Sequence, residues 1–114
     1  MKKIFTYTVL AVLSTIAMAQ AAFIETKADT DISVAHAKEI KNNAPVRLKG
    51  NIVESLGDEK YLFSDGKETI IVEIDNEDWA GQDVSAQDFV IIVGEMDKDF
   101  FGTEVDVEAI QLVK

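Results

Sequence analysis

From Pro45 to the C-terminus the apolar residues recur at every second position, in short runs separated by turn signals. A period of two puts alternate side chains on opposite faces of a strand, so this part of the chain is committed to half-buried sheet. In Pro45–Val53, Val46, Leu48, Gly50 and Ile52 alternate with Arg47, Lys49, Asn51 and Val53. Gly57-Asp58-Glu59 is a turn and Lys60–Ser64 a second strand. Asp65-Gly66 is a tight hairpin turn, leading into a third strand over Glu68–Ile74. Asp75–Asp83 is too polar for a strand and suits a short helical turn around Trp79. Phe89–Asp97 is the fourth strand. Asp99–Gly102 is a loop, and a fifth strand runs through Thr103–Glu108 and Ile110–Val113. Gly50 and Gly94 lie inside strands, where glycine marks a bulge or a sharp bend.

Five short strands without a long crossover helix predict a small closed or nearly closed all-β barrel, with an SH3-like barrel as the structural alternative. Closure also removes the free edges that five strands would otherwise present. Ahead of the strands, Ser33 is a good N-cap, and Val34, Ala37 and Ile40 share one helical stripe. A short helix over 34–41 therefore precedes the barrel, ended by Asn42-Asn43 and kept from continuing by Pro45.

The first 21 residues read as an address. Lys2 and Lys3 are followed by an uncharged apolar stretch from Ile4 to Met18, and small residues recur two apart in Ala17-Met18-Ala19-Gln20-Ala21. That is the pattern of a cleavable signal peptide, with cleavage after Ala19 or, by preference, Ala21. The apolar run is shorter than the ~20 residues of a membrane span and is interrupted by Thr6, Thr8, Ser14 and Thr15. The expected organisation is a leader over 1–21, a flexible arm over 22–32 and one domain over 33–114. The product is expected to be periplasmic, monomeric and not an integral membrane protein.

Charge then narrows the partners. The chain carries 11 Lys+Arg against 21 Asp+Glu, a net of −10. Loss of residues 1–21 removes Lys2 and Lys3 and no acid, leaving nine basic and 21 acidic residues, a net of −12 over 93 residues. Nucleic acid is an unsuitable partner for such a surface, which offers no basic footprint for phosphates. With no cysteine and one histidine, the chain lacks a disulfide framework, a thiol nucleophile and multi-histidine metal motifs.

Several stretches carry a family resemblance. Pro45–Val53, Tyr61-Leu62-Phe63-Ser64-Asp65, Val72-Glu73-Ile74-Asp75 with Trp79 and Gly81, and Gly94–Asp99 with Val105-Asp106-Val107 resemble the bacterial OB-fold (BOF) family of small periplasmic proteins. The likeness runs from about Ser33 to Lys114. It implies a five-stranded OB-fold barrel preceded by a short N-terminal helix, export, and a link to envelope stress tolerance. It also implies no established enzymatic activity and no cofactor, and binding of a small ligand other than nucleic acid. The sequence departs from the family's pattern at Asp99-Phe100-Phe101-Gly102.

Candidate contacts follow from residue type. His36 belongs to the leading helix, away from any barrel mouth, so no Ser-His-Asp arrangement is in prospect. Acids cluster as Asp75, Glu77 and Asp78, as Glu95, Asp97 and Asp99, and as the row Glu104, Asp106 and Glu108. These read as a solvated face or as a diffuse attractor of cations; there is no EF-hand spacing, and no specific metal site is expected. Tyr61 and Phe63 share one face of the second strand; Phe63 suits the interior, and Tyr61, with its polar tip, suits a ligand. Trp79 suits a plug for one barrel end. Phe100-Phe101, adjacent in a polar loop, leaves one ring exposed as a contact point, the alternative being that one Phe caps the barrel and the other packs on the N-terminal arm. The expected ligand contacts are Tyr61, Glu73, Asp97, Asp99 and Phe101, with no catalytic residue. The expected role is binding of a neutral or cationic small ligand or glycan. The alternative is an adaptor docking on an envelope protein through Phe100-Phe101, and a paired-carboxylate hydrolase ranks last.

Overall fold

The computed structural model describes residues 30–114. The expected leader and most of the expected arm lie outside the described residues. One helical turn, α1 (Val34–Ala37), precedes five strands: β1 (Pro45–Gly57), β2 (Lys60–Ser64), β3 (Thr69–Glu73), β4 (Val90–Asp99) and β5 (Gly102–Leu112). A 3-10 turn over Asn76–Trp79 stands between β3 and β4. The strands close into a barrel in the order β1-β2-β3-β5-β4, antiparallel throughout except for the β3–β5 pair.

The expected five strands are all present, with differences at their ends. β1 continues four residues past Val53, because its outer half forms a hairpin with β2. β5 runs as one strand through both expected stretches, a bulge opposite Val93 and Gly94 absorbing the break in alternation at Glu108-Ala109. The helix is shorter than expected. After Ala37, the N–H groups of Glu39 and Ile40 bond three residues back, to His36 and Ala37, so the turn tightens and stops.

The alternation of β1 buries Val46, Leu48, Gly50 and Ile52, and these meet Phe63, Ile70, Val72, Val90, Ile92, Met96, Val105 and Val107 from the other strands. The two strand glycines sit where backbones cross most closely. Gly50 is the last residue of β1 paired to β4, and Asn51 the first paired to β2. A Cβ on Gly50 would run into the Ser64 carbonyl and lie 2.9 Å from the Phe63 ring; one on Gly94 would run into the Asp106 carbonyl. Both glycines allow the barrel to turn its corners.

α1 closes one side of the core with Val34 and Ala37, both fully buried. Ser33 caps it as expected, its hydroxyl accepting from the His36 N–H at 3.0 Å. The Asp65 carboxylate adds a tertiary cap. One oxygen accepts from the Val34 N–H at 2.9 Å, and the other from the N–H groups of Lys67 and Glu68 at 2.9 Å each. These bonds hold the Asp65 carboxyl below its usual range. They also make the β2–β3 turn longer than a two-residue hairpin.

Candidate functional site

Two surface features stand out, on different parts of the barrel. The first is a groove of ≈ 520 Å³ at one barrel end, between the outer half of β1 and the segment that follows the 3-10 turn. Its floor is an aromatic pair: Tyr61 and Trp79 meet edge to face with centroids 5.3 Å apart. Tyr61 lies on the same side of β2 as the fully buried Phe63, packs partly buried against the core and lines the groove. Ile52, Val53, Val84 and Ala86 supply apolar walls; Glu54 and Asp83 supply carboxylates, and Ser55, Asn76 and Gln82 neutral polar groups.

The groove is braced on both sides. The Gln82 amide donates to the Trp79 and Ile110 carbonyls at 2.9 Å each and accepts from the Leu112 N–H at 3.1 Å. It thereby acts as a one-residue strand partner along β5. On the other side the β1–β2 turn places Asp58 and Glu59 at positive φ, 54° and 64°. Neither is glycine, so this turn carries strain. Glu59 offsets it with two bonds: its carbonyl accepts from the Ile74 N–H, and its carboxylate from the Asn76 N–H, both at 2.9 Å.

The second feature is an acidic outer face. Pairing sets Lys60, Glu73, Asp106 and Glu95 side by side across β2, β3, β5 and β4. The next row holds Leu62, Ile71, Glu104 and Asp97. Lys60 Nζ sits between the two Glu104 carboxylate oxygens at 2.9 and 2.8 Å. That bond, with the nearby charges of Glu104, Glu73 and Asp97, raises the Lys60 pKa. Desolvation and the charge of Asp106 push Glu73 up against the pull of Lys60. Asp106 is pushed up first by desolvation and then by Asp75, Asp97, Glu95 and Asp78. Among the described residues, no group of three acids or imidazoles has the arrangement to hold a metal ion.

The five expected contacts therefore do not form one site. Tyr61 lines the groove. Glu73 and Asp97 lie on the acidic face around Lys60 and Glu104. Asp99 and Phe101 belong to the β4–β5 turn, where Asp99 accepts from the N–H groups of Phe101 and Gly102 at 2.8 and 3.1 Å. Phe100 and Phe101 are 94% and 92% exposed, so both rings, rather than one, stand in solvent. The sequence reading placed Trp79 at a barrel end but did not join it to Tyr61, and it passed over Glu54, Gln82 and Asp83. The polar composition of 75–83 predicts the short helical turn that the structure has at Asn76–Trp79; that the segment after it folds back beside β1 depends on long-range contacts no local pattern reports.

This topology and strand order define an OB-fold barrel. The chain belongs to the bacterial OB-fold (BOF) protein family, whose model matches residues 13–112. It is 43% identical over 81 residues to protein YgiW of Escherichia coli K12, covering 71% of this chain and 62% of that protein's length. It is 35% identical over 85 residues to the calcium-regulated OB-fold protein CarO of Pseudomonas aeruginosa, covering 75% of this chain and 73% of CarO. The solved structure of E. coli ygiW superposes with a TM-score of 0.72 at 42% identity, covering 74% of this chain and 90% of that one. The telomere capping protein Ten1 of S. pombe superposes at 0.58 with 19% identity, covering 75% and 79%, a likeness of fold alone. Neither YgiW nor CarO bears an enzyme's name.

Proposed function

We propose that this chain is an exported, non-catalytic binding protein of the bacterial envelope that contributes to stress tolerance, and that it takes a neutral or cationic ligand in the Tyr61–Trp79 groove. The observation that carries the reading is the groove's composition. An edge-to-face aromatic pair forms an apolar floor, amides stand at its rim, and its charged groups, Glu54 and Asp83, are both anionic. Such a floor offers stacking area to a sugar ring or an alkyl chain, while the rim attracts cations and repels polyanions. The leader-like residues 1–21 and the family's resemblance support export.

Thermal-shift titration of residues 22–114 tests this. A groove ligand raises the melting temperature in a saturable way, by a free energy of RT ln(1 + [L]/Kd). Cell-wall saccharides or polyamines are expected to do so, and heparin-like polyanions not. Tyr61→Ala should abolish the shift while leaving the strand signature in circular dichroism intact. A shift that is unchanged in Tyr61→Ala would count against the groove.

The exposed Phe100-Phe101 tip favours a second reading, an adaptor that docks on an envelope protein. Asp99 fixes the turn that presents the two rings, so this apolar patch is held out in solvent by the fold. Site-specific crosslinking from position 101 in cells should recover one reproducible partner, and recovery of none would count against it.

A further inference from the structure

We infer that the groove takes an extended, basic peptide segment, which adds as a strand along the outer half of β1. The inference rests on the groove reading above and names the ligand class. β1 changes partners midway: Pro45–Gly50 pair with β4, and Asn51–Gly57 pair only with β2. β4 begins at Val90, so the edge of residues 53–57 that faces away from β2 has no neighbouring strand. None of the backbone bonds outside the ladders reaches Val53–Gly57 among the described residues. An edge of unpaired N–H and C=O groups is a template for another strand.

Two bulges, between Ile52 and Glu54 and between Ser55 and Gly57, twist this edge and leave Val53 and Leu56 41% and 46% exposed. They restrict pairing to a short segment. At about 3.3 Å per residue, five residues offer ~17 Å of edge, enough for four or five residues of a guest strand.

Val53, Glu54 and Ser55 of this edge line the groove together with Val84, Ala86, Tyr61 and Trp79. Alternate guest side chains would face that floor and the solvent, so a guest with an apolar or aromatic residue at alternate positions fits. Charge selects a basic guest: Glu54 and Asp83 line the groove, and the chain carries a net of −10. This face is separate from the acidic rows of β3, β5 and β4, and it uses backbone as well as side chains.

The test uses a nine-residue peptide of alternating lysine and valine with a central phenylalanine, read by Trp79 emission and by amide hydrogen exchange. Expected results are saturable binding that weakens with salt, slowed exchange at amides within 53–57, and at least a tenfold loss of affinity when alternate peptide nitrogens are methylated. A glutamate version of the peptide should not bind. Equal binding of the methylated and unmethylated peptides, or binding without slowed exchange at 53–57, overturns strand addition while leaving the groove reading in place. A response of Trp79 to spermidine or a chitin oligosaccharide but not to the peptide has the same meaning. No response of Trp79 to any of these probes removes the groove reading itself.

Discussion

Asp106→Asn should stabilise this protein. Asp106 stands on β5 directly opposite Glu73 of β3 on one side and Glu95 of β4 on the other. Directly opposed side chains have Cβ atoms roughly 5 Å apart, and like charges there are destabilising. Two carboxylates about 6 Å apart repel by about 0.7 kcal/mol in a medium as polar as water, the right medium for an exposed residue. Physiological salt roughly halves each interaction. Two neighbours then give a gain of about 0.7 kcal/mol for removal of the charge, and the partial desolvation of Asp106 acts in the same direction. In a domain of this size that is a rise of roughly 3–6 °C in melting temperature.

The pH dependence has a definite sign. The folded-state pKa of Asp106 lies above its ordinary 3.8, so the folded chain holds this proton more tightly than the unfolded one. Its penalty is absent where the group is protonated in both states and develops as pH rises from 3.8 through the raised value. Wild type and Asp106→Asn should therefore melt together near pH 3 and diverge toward pH 7. Scanning calorimetry at both pH values and two salt concentrations measures this. A variant less stable than wild type, or a gain equal at both pH values, would refute the electrostatic account.

Three further outcomes follow from the geometry. Gly50→Ala should cost about 3 kcal/mol or more by denaturant titration, since its methyl group meets the Ser64 backbone and the Phe63 ring and neither yields easily. Asp65→Ala should cost about 1–2 kcal/mol, since three backbone N–H groups lose their acceptor. Because the Asp65 pKa is lowered, its contribution is full above 3.8 and is lost as pH falls through the folded value, so the variant should lose part of the acid sensitivity of wild type. The double change Phe100→Ser with Phe101→Ser should leave stability within about 0.5 kcal/mol, because both rings are in solvent; on the adaptor reading it abolishes crosslinking to the partner.

The strands were legible because burial on one face writes itself into every second residue: Val46, Leu48 and Ile52 needed only local pattern. The N-cap at Ser33 was legible for the same reason, since it acts within one turn. The bend at Gly50 was readable as a bend, but not as the place where β1 exchanges β4 for β2, which is a fact of long-range pairing. The groove was the least legible part. Tyr61 was singled out for its polar tip and Trp79 for its position in a polar loop, yet their contact arises only when the 75–86 segment folds back beside β1. Register also built the acidic face. Glu73, Asp106 and Glu95 are far apart in sequence and adjacent only through the β3–β5–β4 ladder.

Trp79 is the single tryptophan of the chain, and it lies in the groove. Its fluorescence is thus a built-in report of groove occupancy, and it gives the most direct test of the central claim. Titration with a neutral or cationic ligand that raises the melting temperature should change Trp79 emission saturably, with the same Kd as the thermal shift, and Tyr61→Ala should weaken both. A ligand that stabilises the fold while leaving Trp79 emission unchanged would place the binding site elsewhere and contradict the account.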